Sequence, residues 1–132
     1  MKLKNKQIYD TASQLHEAFN IKDQYLPIKL NFYLQKNKKL LTELAQDIDQ
    51  SRNNILQRYG TYDSENGYFR VENEHIDIVT SELEELFNLK QEVNIQMIPM
   101  SVLDLDLQLT TAQMEAIMFM IDDKKEWVKW EN

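Results

Sequence analysis

Apolar residues return at helical spacing through much of the first half of the chain. Ile8, Ala12, Leu15 and Phe19 recur every three or four positions and predict a helix over 6–20, with Asn5 and Asn20 as its caps. From Pro27 the pattern starts again through Leu30, Tyr33/Leu34, Leu41, Leu44/Ala45, Ile48, Ile55 and Tyr59. It lapses at Asn37 and at Ser51/Arg52. Proline suits the first position of a helix, and Gly60 stands where a C-terminal glycine cap belongs. A helix over 27–59 would run for about 50 Å. That is long for so small a chain, so it is expected to pack antiparallel to another helix or to project into a partner. IKLNFYL also alternates enough for a strand, which leaves a break near 27–34 open.

The pattern changes after Gly60. Asn66-Gly67, set among aromatic and β-branched residues, predicts a hairpin turn in which both residues take positive φ. Ile76, Val79, Leu83 and Leu86 return to helical spacing. Val93, Ile95 and Met97 alternate as a strand stopped by Pro99, and Leu103, Leu105, Leu107 and Leu109 alternate as a second. Thr110 and Gln113 have capping-box spacing for a last helix. Helix, long helix, hairpin, helix, strand, strand, helix is a helix-majority α+β order. We expect one domain over 1–132, with a long helical hairpin in its N-terminal half, a small antiparallel sheet and further helices.

The end of the chain is its most distinctive stretch. Met114, Ile117, Met118 and Ile121 make one helical stripe and are expected in the core. Phe119 and Met120 widen it, and both tryptophans, Trp127 and Trp130, follow DDKKE. Core packing explains such a stripe simply. Methionine also makes adaptable contact surfaces, and tryptophan is enriched at interface hot spots. Phe119, Met120, Trp127 and Trp130 are therefore the candidate partner-binding residues.

Composition narrows the chemistry. With no cysteine, disulfides, thiolate metal sites and cysteine nucleophiles are excluded. Two glycines leave no glycine-rich phosphate cradle, and no nucleophile elbow, HExxH or GxxxxGK[ST] occurs. His75 lies between Glu74 and Asp77, but Asp77 falls on another helix face and the expected reading is an exposed helix-start histidine. His16 beside Glu17 is equally plain. Asp104 and Asp106 would share one face of a strand, yet nothing nearby completes a magnesium site. The expectation is no enzyme activity, no metal and no cofactor.

Charge adds a direction. Residues 1–58 carry ten Lys or Arg and six Asp or Glu, whereas residues 59–132 carry five and sixteen. The basic half can attract the acidic half within a subunit or between subunits, and a homo-oligomer is expected. Lys36, Lys38 and Lys39, with Lys29 and Tyr33 nearby, are weak candidates for phosphate contact. They do not cover one narrow helix face, and the net charge of −7 opposes nucleic acid. No apolar run is long enough to span a bilayer, and MKLKNKQIYD lacks the apolar core of a signal peptide. The expected location is inside a cell.

MKLKNKQIYD, LPIKLNFYLQKNKKLL, RNNILQRYG and EVNIQMIPMSVLDLDLQLTTAQMEAI together resemble a family of small uncharacterised proteins of phages and prophages of Gram-positive bacteria. The likeness spans most of the chain as a pattern of spacing. It carries over no functional residue, because that family has no assigned activity. It implies a setting: the cytoplasm of an infected bacterium, or a virion. The expected function is thus a phage-type accessory protein that binds a protein partner, for example to inhibit a host defence complex. The alternatives are a virion or tail assembly component and a protein that contacts nucleic acid through its basic half.

Overall fold

The computed structural model describes residues 1–22, 24–103 and 107–122. Its fold is α+β with helices in the majority. The helices are α1 (Asn5–Ala18), α2 (Ile28–Tyr59), α3 (Ile76–Asn88) and α4 (Thr111–Ile117). Short strands lie between and around them: β1 (Lys2–Lys4), β2 (Gly60–Asp63), β3 (Tyr68–Val71), β4 (Lys90–Glu92), β5 (Ile98–Pro99) and β6 (Ile121–Asp122).

α2 is one unbroken helix of 32 residues, so the strand-like IKLNFYL is helical. At about 1.5 Å per residue it is ~48 Å long. Pro27 is its N-cap, and the Asn31 N–H donates to the Pro27 carbonyl at 2.9 Å. α1 lies antiparallel to it. A short connection joins the end of α1 to the start of α2, and the Tyr9 hydroxyl near the other end of α1 donates to Asp49 at 3.2 Å. Ile8, Ala12 and Leu15 of α1 meet Leu30, Leu34, Leu41 and Ile48 of α2 in the core, which Val93, Ile95, Ile98, Ala116, Ile117 and Met120 complete.

Gly60 corrects one expectation. It is not a left-handed cap but extended backbone, with φ −140° and ψ 176°, and it opens β2. A Cβ there would stand 2.6 Å from the Arg70 carbonyl oxygen across the hairpin, so glycine is required by close approach. The turn is also wider than expected. Asp63 pairs with Tyr68, which leaves a four-residue connection. Gly67 takes φ 72°, and its N–H donates to the Asp63 carbonyl at 2.8 Å.

Among the described residues the strands form three separate two-stranded pairs. β1–β4 and β2–β3 are antiparallel, whereas β5–β6 is parallel. Val93 and Ile95 point into the core as their alternation predicts, but 93–97 is not a strand. The backbone there is satisfied by a side chain. Asn37, 1% exposed, accepts from the Gln96 N–H at 2.8 Å and donates to the Gln96 carbonyl at 2.9 Å. The lapse in the stripe of α2 is therefore a buried polar bridge to a distant segment. Leu107 and Leu109 likewise pack against the core without forming a strand, and Asp104, Leu105 and Asp106 lie outside the described residues.

Two more buried amides act in the same way. Asn5, expected as a cap, sits in the first turn of α1; it donates to the Leu86 carbonyl and accepts from Gln91 Nε2. Gln113 of α4 donates to the Ala18 carbonyl and exchanges hydrogen bonds with Gln24. Each amide tethers one segment to another far along the chain. Removing one would leave its partners unsatisfied.

The last helix also departs from expectation. α4 ends at Ile117, tightens into a 3₁₀ turn at Met118–Met120, and becomes extended to pair Ile121 with Ile98. The buried side is not the expected apolar stripe but the one next to it, which carries the polar Gln113. Gln113, Ala116, Ile117 and Met120 face inward, Ile121 is half-buried, and Met114 and Met118 are exposed, the latter to 63%.

Candidate interaction surface

The core side of α2 leaves its opposite side to solvent. Ile28, Phe32, Lys36 and Lys39 follow one another at steps of four, four and three, which keeps them on the face away from Leu30, Leu34 and Leu41. Ile28 is 84% exposed and Phe32 56%. These are large apolar side chains that none of the described residues covers. Lys36 Nζ lies 5.0 Å from the centre of the Phe32 ring, and Phe32 meets Tyr33 edge-on at 6.3 Å between centres. Tyr25, 82% exposed, extends the patch beyond the start of the helix. Beside it Tyr25, Pro27, Ile28, Lys29, Val102 and Leu103 line an open depression of about 520 Å³.

The charge around Ile28 and Phe32 has one sign, and carboxylates join this face only from Glu43 onward. From Gln24 to Thr42 the chain contains four lysines and no carboxylate. Lys29, Lys36 and Lys39 are exposed along the outer side, and Lys38 is half-buried on a different side. The structure thus brings Lys36 and Lys39 together with an aromatic ring and separates Lys38 from them.

A second exposed surface has the opposite character. On α3, Asp77, Ile78, Ser81, Glu84 and Glu85 are all exposed, with Ile76 and Glu74 beside them. Glu82 instead turns toward α2, where it accepts from the Tyr59 hydroxyl at 3.3 Å and lies 3.7 Å from Arg58. The α3 surface is therefore acidic and apolar where that of α2 is basic and apolar.

Of the partner-binding residues expected from sequence, Met120 is a core residue with no exposure, and its sulfur accepts from Asn37 Nδ2 at 3.3 Å. It stands on the same buried side as Gln113, Ala116 and Ile117, which corrects its assignment to an interface. Phe119 is half-buried against the core. Trp127 and Trp130 lie outside the described residues. The exposed Ile28 and Phe32 were not singled out in sequence, where the expectation for 27–59 rested on the apolar stripe through Leu30 and Leu34. Taken as helix, the two fall one turn apart and off the Leu30/Leu34 stripe, which is the signal that finds them.

Among the described residues one group of potential metal ligands lies close together. Glu72, Glu74 and His75 have potential ligand atoms within 4.8 Å of one another, with His75 Nε2 3.4 Å from Glu74. Asp77 is not among them. The two carboxylates are exposed, and the imidazole leans on the Tyr59 ring at 5.7 Å between centres. No buried, unpartnered ligand aimed at this trio marks it as more than a solvated cluster. His16 is exposed on α1. Among the described residues no helix is long and apolar enough to cross a membrane. No family model, curated protein or solved structure matches the chain.

Proposed function

We propose that the protein is a non-enzymatic binding protein whose contact surface is the outer face of α2. The partner that fits is an acidic protein surface with its own apolar side chains. The observation that carries this reading is Phe32 and Ile28, exposed on a helix face whose flanking charges are all lysines. Exposed apolar residues grouped within a charged rim are the composition of a contact patch rather than of a solvated helix. The setting implied by the phage resemblance, an accessory protein that engages a host complex in an infected bacterium, is compatible with such a patch. Nucleic acid is the second reading, favoured only by Lys36 and Lys39 beside the Phe32 ring. The net charge weighs against it.

Affinity capture from lysate of an infected host tests the proposal, with the wild type compared against Ile28→Ser/Phe32→Ser. Both positions are exposed, so the variant should keep the helical circular dichroism of the wild type. Loss of the captured protein from the variant is the expected result. Capture that is unchanged, or a captured species destroyed by nuclease, would overturn it.

A further inference from the structure

The acidic, apolar surface that fits α2 is present on the molecule itself, at the wrong end to be reached. Arg58 and Tyr59 hold Glu82, which places α3 beside the C-terminal end of α2. Ile28 and Phe32 lie at the N-terminal end, and thirty residues of continuous helix separate Ile28 from Arg58 by ~45 Å. The two surfaces cannot meet within one chain. A second chain brings them together.

We propose that the outer face of α2 is covered by the outer face of α3 from a second copy. Lys29 and Lys36 then lie opposite Asp77 and Glu85, and Ile28 and Phe32 lie against Ile78. The contact joins two different faces and is therefore head-to-tail, α3 of one copy on α2 of the next. Pairing α2 faces with each other is disfavoured, because lysines would oppose lysines. The inference rests on the reading of α2 as a contact surface and names its occupant. Neither face alone is apolar enough to associate without regard to charge. The contact is therefore sensitive to salt, as attraction between exposed charges is.

Light scattering and sedimentation of the full chain test this. The wild type should show a mass above the 15.8 kDa of one chain at high micromolar concentration and low salt, and dissociate as salt rises. Lys29→Glu/Lys36→Glu should weaken association by about tenfold or more, since reversal replaces two attractions with repulsions. Asp77→Lys/Glu85→Lys should do the same. The chain that carries all four changes should associate again, which no effect on folding of the individual variants would produce. A monomeric wild type, double variants that associate normally, or a four-change chain that stays monomeric would each overturn the proposal. If the wild type is monomeric while Ile28→Ser/Phe32→Ser abolishes capture, the second copy is excluded and the binding face of α2 stands.

Discussion

Replacing Asn37 by alanine removes a side chain that is polar, buried and bonded at both ends of its amide. Its oxygen holds the Gln96 N–H and its nitrogen the Gln96 carbonyl, with Met120 Sδ as a further acceptor. Each backbone group left unsatisfied costs about 1–3 kcal/mol where water cannot reach it. The Gln96 side chain is exposed, so water can recover part of this, and the lower part of the range applies to each group. The removed volume adds a small cavity term at the Asn37–Met120 contact. The expected loss is about 2–4 kcal/mol in all. Asn37→Leu should recover packing without recovering the bonds, and so should remain ~1–3 kcal/mol below the wild type. Urea denaturation followed by circular dichroism measures these differences. Asn53→Ala, exposed on the same helix, is the control and should stay within about 0.5 kcal/mol. Hydrogen exchange at the Gln96 amide gives a local reading, because its protection should fall in both Asn37 variants. An alanine cost no larger than the control, or unchanged protection at Gln96, would refute the view that this amide ties α2 to 93–97.

At the hairpin, Gly67→Val should destabilise by about 1 kcal/mol or more in thermal unfolding, because φ 72° strains a β-branched residue even though the space around the glycine is open. The Asp63 carboxyl is held below its ordinary range chiefly by the hydrogen bond from the Asn66 side chain, helped by the Asn66 and Glu65 N–H groups. A depressed carboxylate adds stability above its unfolded value near 3.8 and loses it as pH falls through the folded value. Exchange protection of the turn amides should therefore weaken only in acid, and Asp63→Asn should flatten that dependence. In the last helix, Ile117→Ala should cost ~2–5 kcal/mol and Met118→Ala less than about 0.5 kcal/mol by denaturant titration, and similar costs would contradict the placement of Ile117 inside and Met118 outside.

Local spacing was sufficient wherever the physics was local. The Leu30–Ile48 periodicity and Pro27 predict α2 without knowledge of the rest of the chain, because a helix and its first-turn proline depend only on near neighbours. The capping box at Thr110 is of the same kind: Thr110 Oγ1 accepts from the Gln113 N–H at 3.1 Å, and Gln113 Oε1 accepts from the Thr110 N–H at 3.0 Å. Tertiary structure decided what depends on distant partners. β1 forms because Lys2–Lys4 meets Lys90–Glu92, and nothing in a three-residue segment announces that pairing. Asn37 looked like a gap in a stripe, since periodicity registers a polar residue without showing whether a far backbone waits to bond it. Met118 looked buried because it belongs to the apolar stripe, whereas the side that packs inward carries the polar Gln113, held by the distant Ala18 carbonyl and Gln24. The candidate face on α2 was equally hidden. Its residues are visible in sequence, but only the packing of α1 and 93–98 against the opposite side leaves Ile28 and Phe32 bare.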